Sequence, residues 1–189
     1  MAWKVALYDA CVLYPFYLRD LLVRLALTDL FRAKWTDEIH DEWIGNLSKN
    51  EGIPAESLAR TRRLMDGAVL DCLVTGYARR IADLTLPDPG DRHVLAAAIE
   101  SASEVIITKN LADFPQDYLG QFGIAAKHPD EFVLLLLKEE PDRVVRAMRD
   151  QRAAYRNPAL TAEEFVGALE RCELAETAKL LRGLYLDQL

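Results

Sequence analysis

The chain is poor in the residues that mark thiolate-metal and disulfide proteins. It has three cysteines, Cys11, Cys72 and Cys172, in 189 residues. They are widely scattered, with no CxxC and no Cys/His spacing suited to zinc, so they read as small buried apolar side chains in a reducing compartment. Histidine is equally sparse: His40, His93 and His128 are unclustered. No Gly-rich loop follows the first hydrophobic segment, which argues against a dinucleotide or sugar-nucleotide enzyme. Long apolar runs are missing too. The longest, Phe132 to Leu137, is far too short to span a bilayer, and no terminal segment has the layout of a leader peptide. A cytoplasmic protein with no membrane partner is expected. Excess basic charge is also absent, the formal net charge being −7, which argues against a general-purpose nucleic-acid binder.

What the chain does have is alternation of short apolar segments with helical patterns. Val5 to Tyr8 reads as a strand covered on both faces. Pro15 introduces an amphipathic helix over about 16–32, with Leu18, Leu21, Leu22, Leu25 and Leu30 at helical spacing. Thr36 is the expected N-cap of a helix running to about 48, and Pro54 opens another. Residues 68–74 read as a strand or a helix end, and Leu84–Leu86 as a short edge segment. Asp88 is placed as an N-cap with Pro89 at the first helical position, followed by a small-residue helix through Val94–Ile99. A strand over 104–108, a second over 123–126 and a helix from about Asp130 follow. Such alternation predicts an α/β fold of three layers, α/β/α, with a central parallel sheet.

After about residue 140 strand signals stop. Helices are expected from Asp142 to Tyr155 and after a Thr161–Glu164 capping box. Phe165, Leu169, Leu174, Leu181 and Leu184 give this tail an apolar face. The expected division is a domain over 1–138 and a helical extension over 139–189. There is no internal repeat.

Acidic residues recur where the apolar segments end. Asp9 directly follows the first strand, and Thr108, Asn110 and Asp113 follow a later one. In parallel sheets ligands bind beyond the carboxyl ends of the strands, which is where these residues fall. Each has a competing structural reading. Asp88 and Asp91 can cap a helix; Asn110 and Asp113 can support a turn; Glu38 and Glu42, like Asp37 and Asp41, share a helix face and can be solvated.

The order and spacing of these pieces resemble PIN-domain ribonucleases, in particular VapC-type toxins of type II toxin–antitoxin pairs. The resemblance rests on Leu7-Tyr8-Asp9-Ala10-Cys11-Val12-Leu13, Thr36…Glu42-Trp43, Asp88-Pro89-Gly90-Asp91-Arg92-His93-Val94-Leu95-Ala96-Ala97-Ala98 and Ile107-Thr108-Lys109-Asn110-Leu111-Ala112-Asp113-Phe114-Pro115. It covers about residues 3–135, and the tail around Asn157–Phe165 is similar to the extension of one subgroup. It implies a PIN-like fold in which Asp9, Glu42, Asp91 and Asp113 are the catalytic, metal-binding acids, with Glu38 the alternative to Glu42. Thr108, Asn110 and Asp88 are then supporting residues.

Such acids suit Mg2+ (or Mn2+), which takes all-oxygen ligands and relieves their mutual repulsion. A metal-assisted water attacking phosphorus would leave 5′-phosphate and 3′-hydroxyl ends, with single-stranded or loop RNA as substrate. Arg92 and Lys109 are the RNA-contact candidates, with Arg19 and Lys49 behind them. The arginines at 143, 146, 149 and 152 drift around a helix and are read as solvated. A protein antitoxin is the implied partner, and the tail helices are expected to pack on the domain, to form a homodimer or to hold that antitoxin. Competing readings are a catalytically silent PIN-like RNA-binding or scaffold module, a housekeeping RNA-processing nuclease, and a receiver domain. The last lacks the paired acid and the central phosphoacceptor Asp it would need.

Overall fold

The computed structural model describes residues 3–189. Four strands, β1 (Val5–Tyr8), β2 (Arg32–Lys34), β3 (Val105–Ile107) and β4 (Ala125–Lys127), form one sheet in the order β2-β1-β3-β4. All pairs are parallel: Ala6 faces Ala33 on one side of β1 and Val105 on the other. β1 and β3 are buried along their whole length. That is why neither alternates with polar residues, since a central parallel strand is covered on both faces.

Helices flank the sheet on both faces, giving the expected three-layer α/β/α architecture. After β1 come α1 (Ala10–Leu13) and α2 (Phe16–Ala26); α3 (Asp37–Glu51) and α4 (Ala55–Ala68) follow β2. α5 (Arg92–Glu100) leads into β3, and α6 (Gln116–Leu119) precedes β4. α7 (Pro129–Glu139) leads to the terminal helices α8 (Pro141–Ala154), α9 (Ala162–Arg171) and α10 (Ala175–Leu184).

Several element boundaries differ from the sequence reading. The second helix stops at Ala26, and Arg32–Lys34 form an unforeseen edge strand. Asp29 takes a left-handed φ of 59° in the turn between them, a conformation its short polar side chain tolerates. Residues 68–74 are a helix end plus one isolated bridge, Leu73 to Trp35. Leu84–Leu86 is not a strand, although Leu84 and Leu86 are buried. Leu184 of the tail is exposed rather than buried.

Two caps hold as read. The Thr36 hydroxyl accepts from Ile39 N at 3.0 Å, and Thr161 and Glu164 form a reciprocal capping box. Beneath α3 lies a buried relay. Trp43 Nε1 donates to His40 Nδ1 at 3.0 Å, so His40 is protonated at Nε2, which lies 2.9 Å from Asp66 Oδ1 of α4. Trp35 Nε1 donates to the same Asp66 oxygen at 2.9 Å. Burial holds the His40 pKa below its usual value, keeping the ring neutral.

The terminal helices pack on the rest of the chain. α8 lies against α2, where Gln151 Nε2 donates to Tyr17 O at 2.9 Å and Tyr155 OH to Asp20 Oδ2 at 2.7 Å. Arg152 turns away from solvent to donate to the carbonyls of Leu160 and Leu189. Among the described residues no helix is long and apolar enough to cross a membrane.

Candidate active site

The carboxyl ends of β1 and β3 lie side by side and fix the centre of the site. Asp9 N donates to Ile107 O at 3.1 Å, continuing the sheet ladder by one residue past β1. This delivers Asp9, only 4% exposed, to the N-cap of α1. Its side chain makes no capping bond. Instead Oδ2 accepts from the Thr108 hydroxyl at 2.7 Å and from Cys11 Sγ at 3.1 Å. Both bonds fall on one oxygen and leave Oδ1 outside them. Cys11 Sγ in turn accepts from Lys109 N at 3.2 Å, and the Thr108 hydroxyl from Asn110 N at 3.0 Å. Burial and the neighbouring Asp9 push the Cys11 thiol up to about 12, so it stays a protonated donor to that carboxylate.

Asp91 enters from the start of α5. Asp88 provides the local cap, its Oδ1 accepting from Gly90 N at 2.7 Å, with Pro89 at the first position of a short 3-10 turn. Asp91 follows as N-cap of α5 but makes no capping bond, and its Oδ2 is buried with no hydrogen-bond partner among the described residues. Burial, followed by Asp9, Asp88, Asp113 and Glu42, raises its pKa from 3.8 to about 6. Four acids from four separate stretches of chain therefore act on one carboxyl. Asp113 sits in the 3-10 turn Leu111–Asp113 after β3, tied by its N–H to Asn110 O at 3.0 Å.

Glu42 reaches the site from α3. Of the two α3 acids weighed for this role, Glu42 is among the groups that raise Asp91, and it lines the cleft. Glu38 accepts from Tyr77 OH at 3.1 Å, while Asp37 and Asp41 are both paired with Arg62 of α4. His93 is the residue that sequence reasoning missed. It is buried on the first turn of α5, with Nε2 2.8 Å from Glu42 Oε1 and Nδ1 3.6 Å from Glu38 Oε2. The contact with Glu42 is an ion pair when the ring is protonated. Burial alone would lower the His93 pKa, but Glu42, Glu38 and Asp9 outweigh it and the net shift is upward. Its place two residues after Asp91 was the only available signal.

An open cleft of about 350 Å³ is lined by Asp9, Cys11, Glu42, Asn46, Lys109 and Asn110; Asp91 and Asp113 are not part of its walls. The donors fit a hard divalent cation: every convergent acid offers oxygen, and Asp91 holds a buried oxygen with no protein partner. Among the described residues no three His, Cys, Asp or Glu side chains are grouped so that they could hold a metal ion as they stand. Glu42 is turned to His93, and one Asp9 oxygen to Thr108 and Cys11.

The basic candidates divide. Lys109 lines the cleft. Arg92 lies beside Asp91, half-buried, with Nε unpartnered. Arg19 is removed from the list, because it is buried and spends NH1 on the carbonyls of Leu13 and Tyr14. Lys49 is exposed and does not line the cleft.

Comparison with known proteins adds two findings. A family model described as the VapC50 C-terminal domain matches residues 129–183, beginning ahead of the division expected at 138/139. A Mycobacterium tuberculosis (strain ATCC 25618 / H37Rv) protein named "Putative ribonuclease VapC50" is 46% identical over 82 residues, 42% of this chain. The match spans 47% of that relative, so the chain covers less than half of its length. No solved structure gives a significant match. The chain is thus similar to the VapC50 C-terminal domain over residues 129–183 and to this relative over 82 residues.

Proposed function

We propose that the protein is a Mg2+- or Mn2+-dependent endoribonuclease, the toxin of a type II toxin–antitoxin pair. The observation that carries the reading is Asp91, whose carboxyl is raised to about 6 by burial and by Asp9, Asp88, Asp113 and Glu42 around it. Structural capping does not account for it, since Asp88 makes the capping bond and Asp91 makes none. Carboxylates perturbed in this way beside a cleft mark a functional site, and Asp9 and Glu42, two of the acids acting on Asp91, line the cleft.

Asp9, Asp91, Asp113 and Glu42 would hold the divalent ion, with Thr108 and Cys11 orienting Asp9. When bound, the ion supplies Lewis acidity toward a phosphodiester and lowers the pKa of a water. The chain's own residues do the rest. Asp91 would offer the ion its buried oxygen, which has no protein partner among the described residues. Thr108 and Cys11 hold Asp9 Oδ2 and prevent its rotation. Lys109 and Arg92 flank the acids as phosphate contacts. The open cleft suits single-stranded or loop RNA. An antitoxin that inserts an Arg or Lys into the acidic centre would inhibit by taking the ion's place.

The test is RNA cleavage with Mg2+ or Mn2+ by the wild type, Asp9→Asn and Asp91→Asn. Both variants are expected to lose activity, with 5′-phosphate products from the wild type. Equal activity in all three overturns the site assignment. Expression should arrest growth, and Asp9→Asn or the cognate antitoxin should relieve it; cleavage without arrest would leave an RNA-processing nuclease.

A further inference from the structure

The C-terminal helices reach the cleft at one point. Glu173, in the turn between α9 and α10, has a left-handed φ of 69° and places its carboxylate against two residues of the sheet edge. Oε1 lies 2.8 Å from Lys109 Nζ and Oε2 lies 3.6 Å from His128 Nε2. The turn is held there independently. Asp130 of α7 accepts from Glu176 N at 2.8 Å and Thr177 N at 2.9 Å, capping α10 from outside because Leu174 at its N-cap has no polar side chain.

Lys109 is a flexible cation in a hazardous place. Its backbone N–H is bonded to Cys11 Sγ, which is bonded to Asp9, and its side chain lines the cleft with Asp9 and Glu42. An ammonium on a four-carbon stem can swing toward any nearby excess of carboxylate. Asp9 and Glu42 line the same cleft as Lys109, and Asp91 adds a buried oxygen with no partner among the described residues.

We infer that Glu173 is a positioning residue that tethers Lys109 at the rim and keeps its ammonium out of the acid cluster, leaving that cluster to a divalent cation. This rests on the metal-site reading given above. It assigns the C-terminal helices a direct part in the cleft: with the tether cut, Lys109 becomes an internal competitor for the ion.

The test is a double-variant cycle read by Mn2+ titration calorimetry on the full chain, with no RNA present. Glu173→Gln is expected to weaken Mn2+ binding about tenfold. In a Lys109→Met background the same substitution should change the affinity less than twofold, because the competitor is gone. Simple loss of a distant negative charge, or a general loosening of the C-terminal helices, predicts equal effects in both backgrounds, and that result overturns the tether. Glu173→Asp, which keeps the charge, should recover most of the affinity if its melting temperature matches the wild type. Wild-type Mn2+ binding with no effect of Glu173→Gln rejects the tether alone. No Mn2+ binding by the wild type rejects the metal site and the tether together.

Discussion

His93 Nε2 lies 2.8 Å from Glu42 Oε1, joining the first turn of α5 to the inner face of α3 across the candidate site. The imidazole is buried and the carboxylate half-exposed, and the His93 pKa is raised despite burial because Glu42, Glu38 and Asp9 favour the charged ring. Asp91, two residues before it, is raised to about 6. Both groups bind protons more readily in the folded protein than in the unfolded chain, so both make stability fall as pH rises. For Asp91 the loss runs between 3.8 and about 6. For His93 it begins above 6.5, as pH passes through the raised folded value. The lowered pKa values of His40 and of acids such as Glu100 and Glu173 act in the opposite sense, so the readout is the difference between proteins rather than the wild-type profile. Measured with a chelator, the melting temperature of the wild type should fall relative to Asp91→Asn between pH 4 and pH 6, and relative to His93→Gln above pH 6.5. Differences that stay constant with pH would contradict both shifts.

A divalent ion should reverse the penalty. Binding only the folded state stabilises it by about 2.7 kcal/mol at a hundredfold excess over Kd. At pH 8, saturating Mg2+ or Mn2+ should thus raise the melting temperature of the wild type by several degrees. Asp91→Asn carries one acid fewer and should start out more stable than the wild type without metal, by about 1 kcal/mol. That figure is reduced from what the shift implies because the carboxyl is partly solvated. The variant should gain little from the ion. Equal metal-induced shifts in the two proteins would remove Asp91 from the ligand set.

The buried relay beneath α3 predicts a stability effect separate from activity. His40 is fully buried between Trp43 Nε1, which donates to it, and Asp66, which also receives Trp35 Nε1. His40→Ala leaves the Trp43 indole N–H without a partner and opens a cavity, and should cost about 3 kcal/mol in urea unfolding. His40→Gln, which can still accept from Trp43, should cost less. Equal midpoints for the wild type and both variants would show that the relay contributes nothing to stability.

The sequence made the strand ends legible because their signals are local. An uninterrupted apolar run ending at Asp9, and Thr108 closing another, fix both the strand and its exit edge. The Asp88 cap was readable for the same reason, since its partner Gly90 is two residues away. Strand β2 was not, because Arg32, Ala33 and Lys34 carry no β signal and become a strand only through pairing with Val5–Leu7. His93 was missed because its meaning lies in Glu42, which only the packing of α5 against α3 brings near. Arg19 reads in the sequence as a secondary RNA-contact candidate, because nothing in its own helix shows that α1 ends against it.

That packing carries the last prediction. Arg19 NH1 donates to Leu13 O at 2.5 Å and Tyr14 O at 3.0 Å, the open carbonyl end of α1, while its guanidinium sits 4.7 Å from the Trp43 ring centre. It thereby joins α1, whose N-cap is Asp9, to α3, which carries Glu42. Arg19→Met keeps the volume and the apolar contact with Trp43 but removes both donors and leaves two carbonyls unpaired. Unfolding stability should drop by about 2 kcal/mol. Mn2+-dependent RNA cleavage should fall about tenfold at a temperature where the variant remains folded, through misplacement of Asp9 rather than loss of a ligand. Arg19→Lys can reach one carbonyl and should lie between the two. Wild-type stability and cleavage in Arg19→Met would show that α1 holds Asp9 in place without the guanidinium.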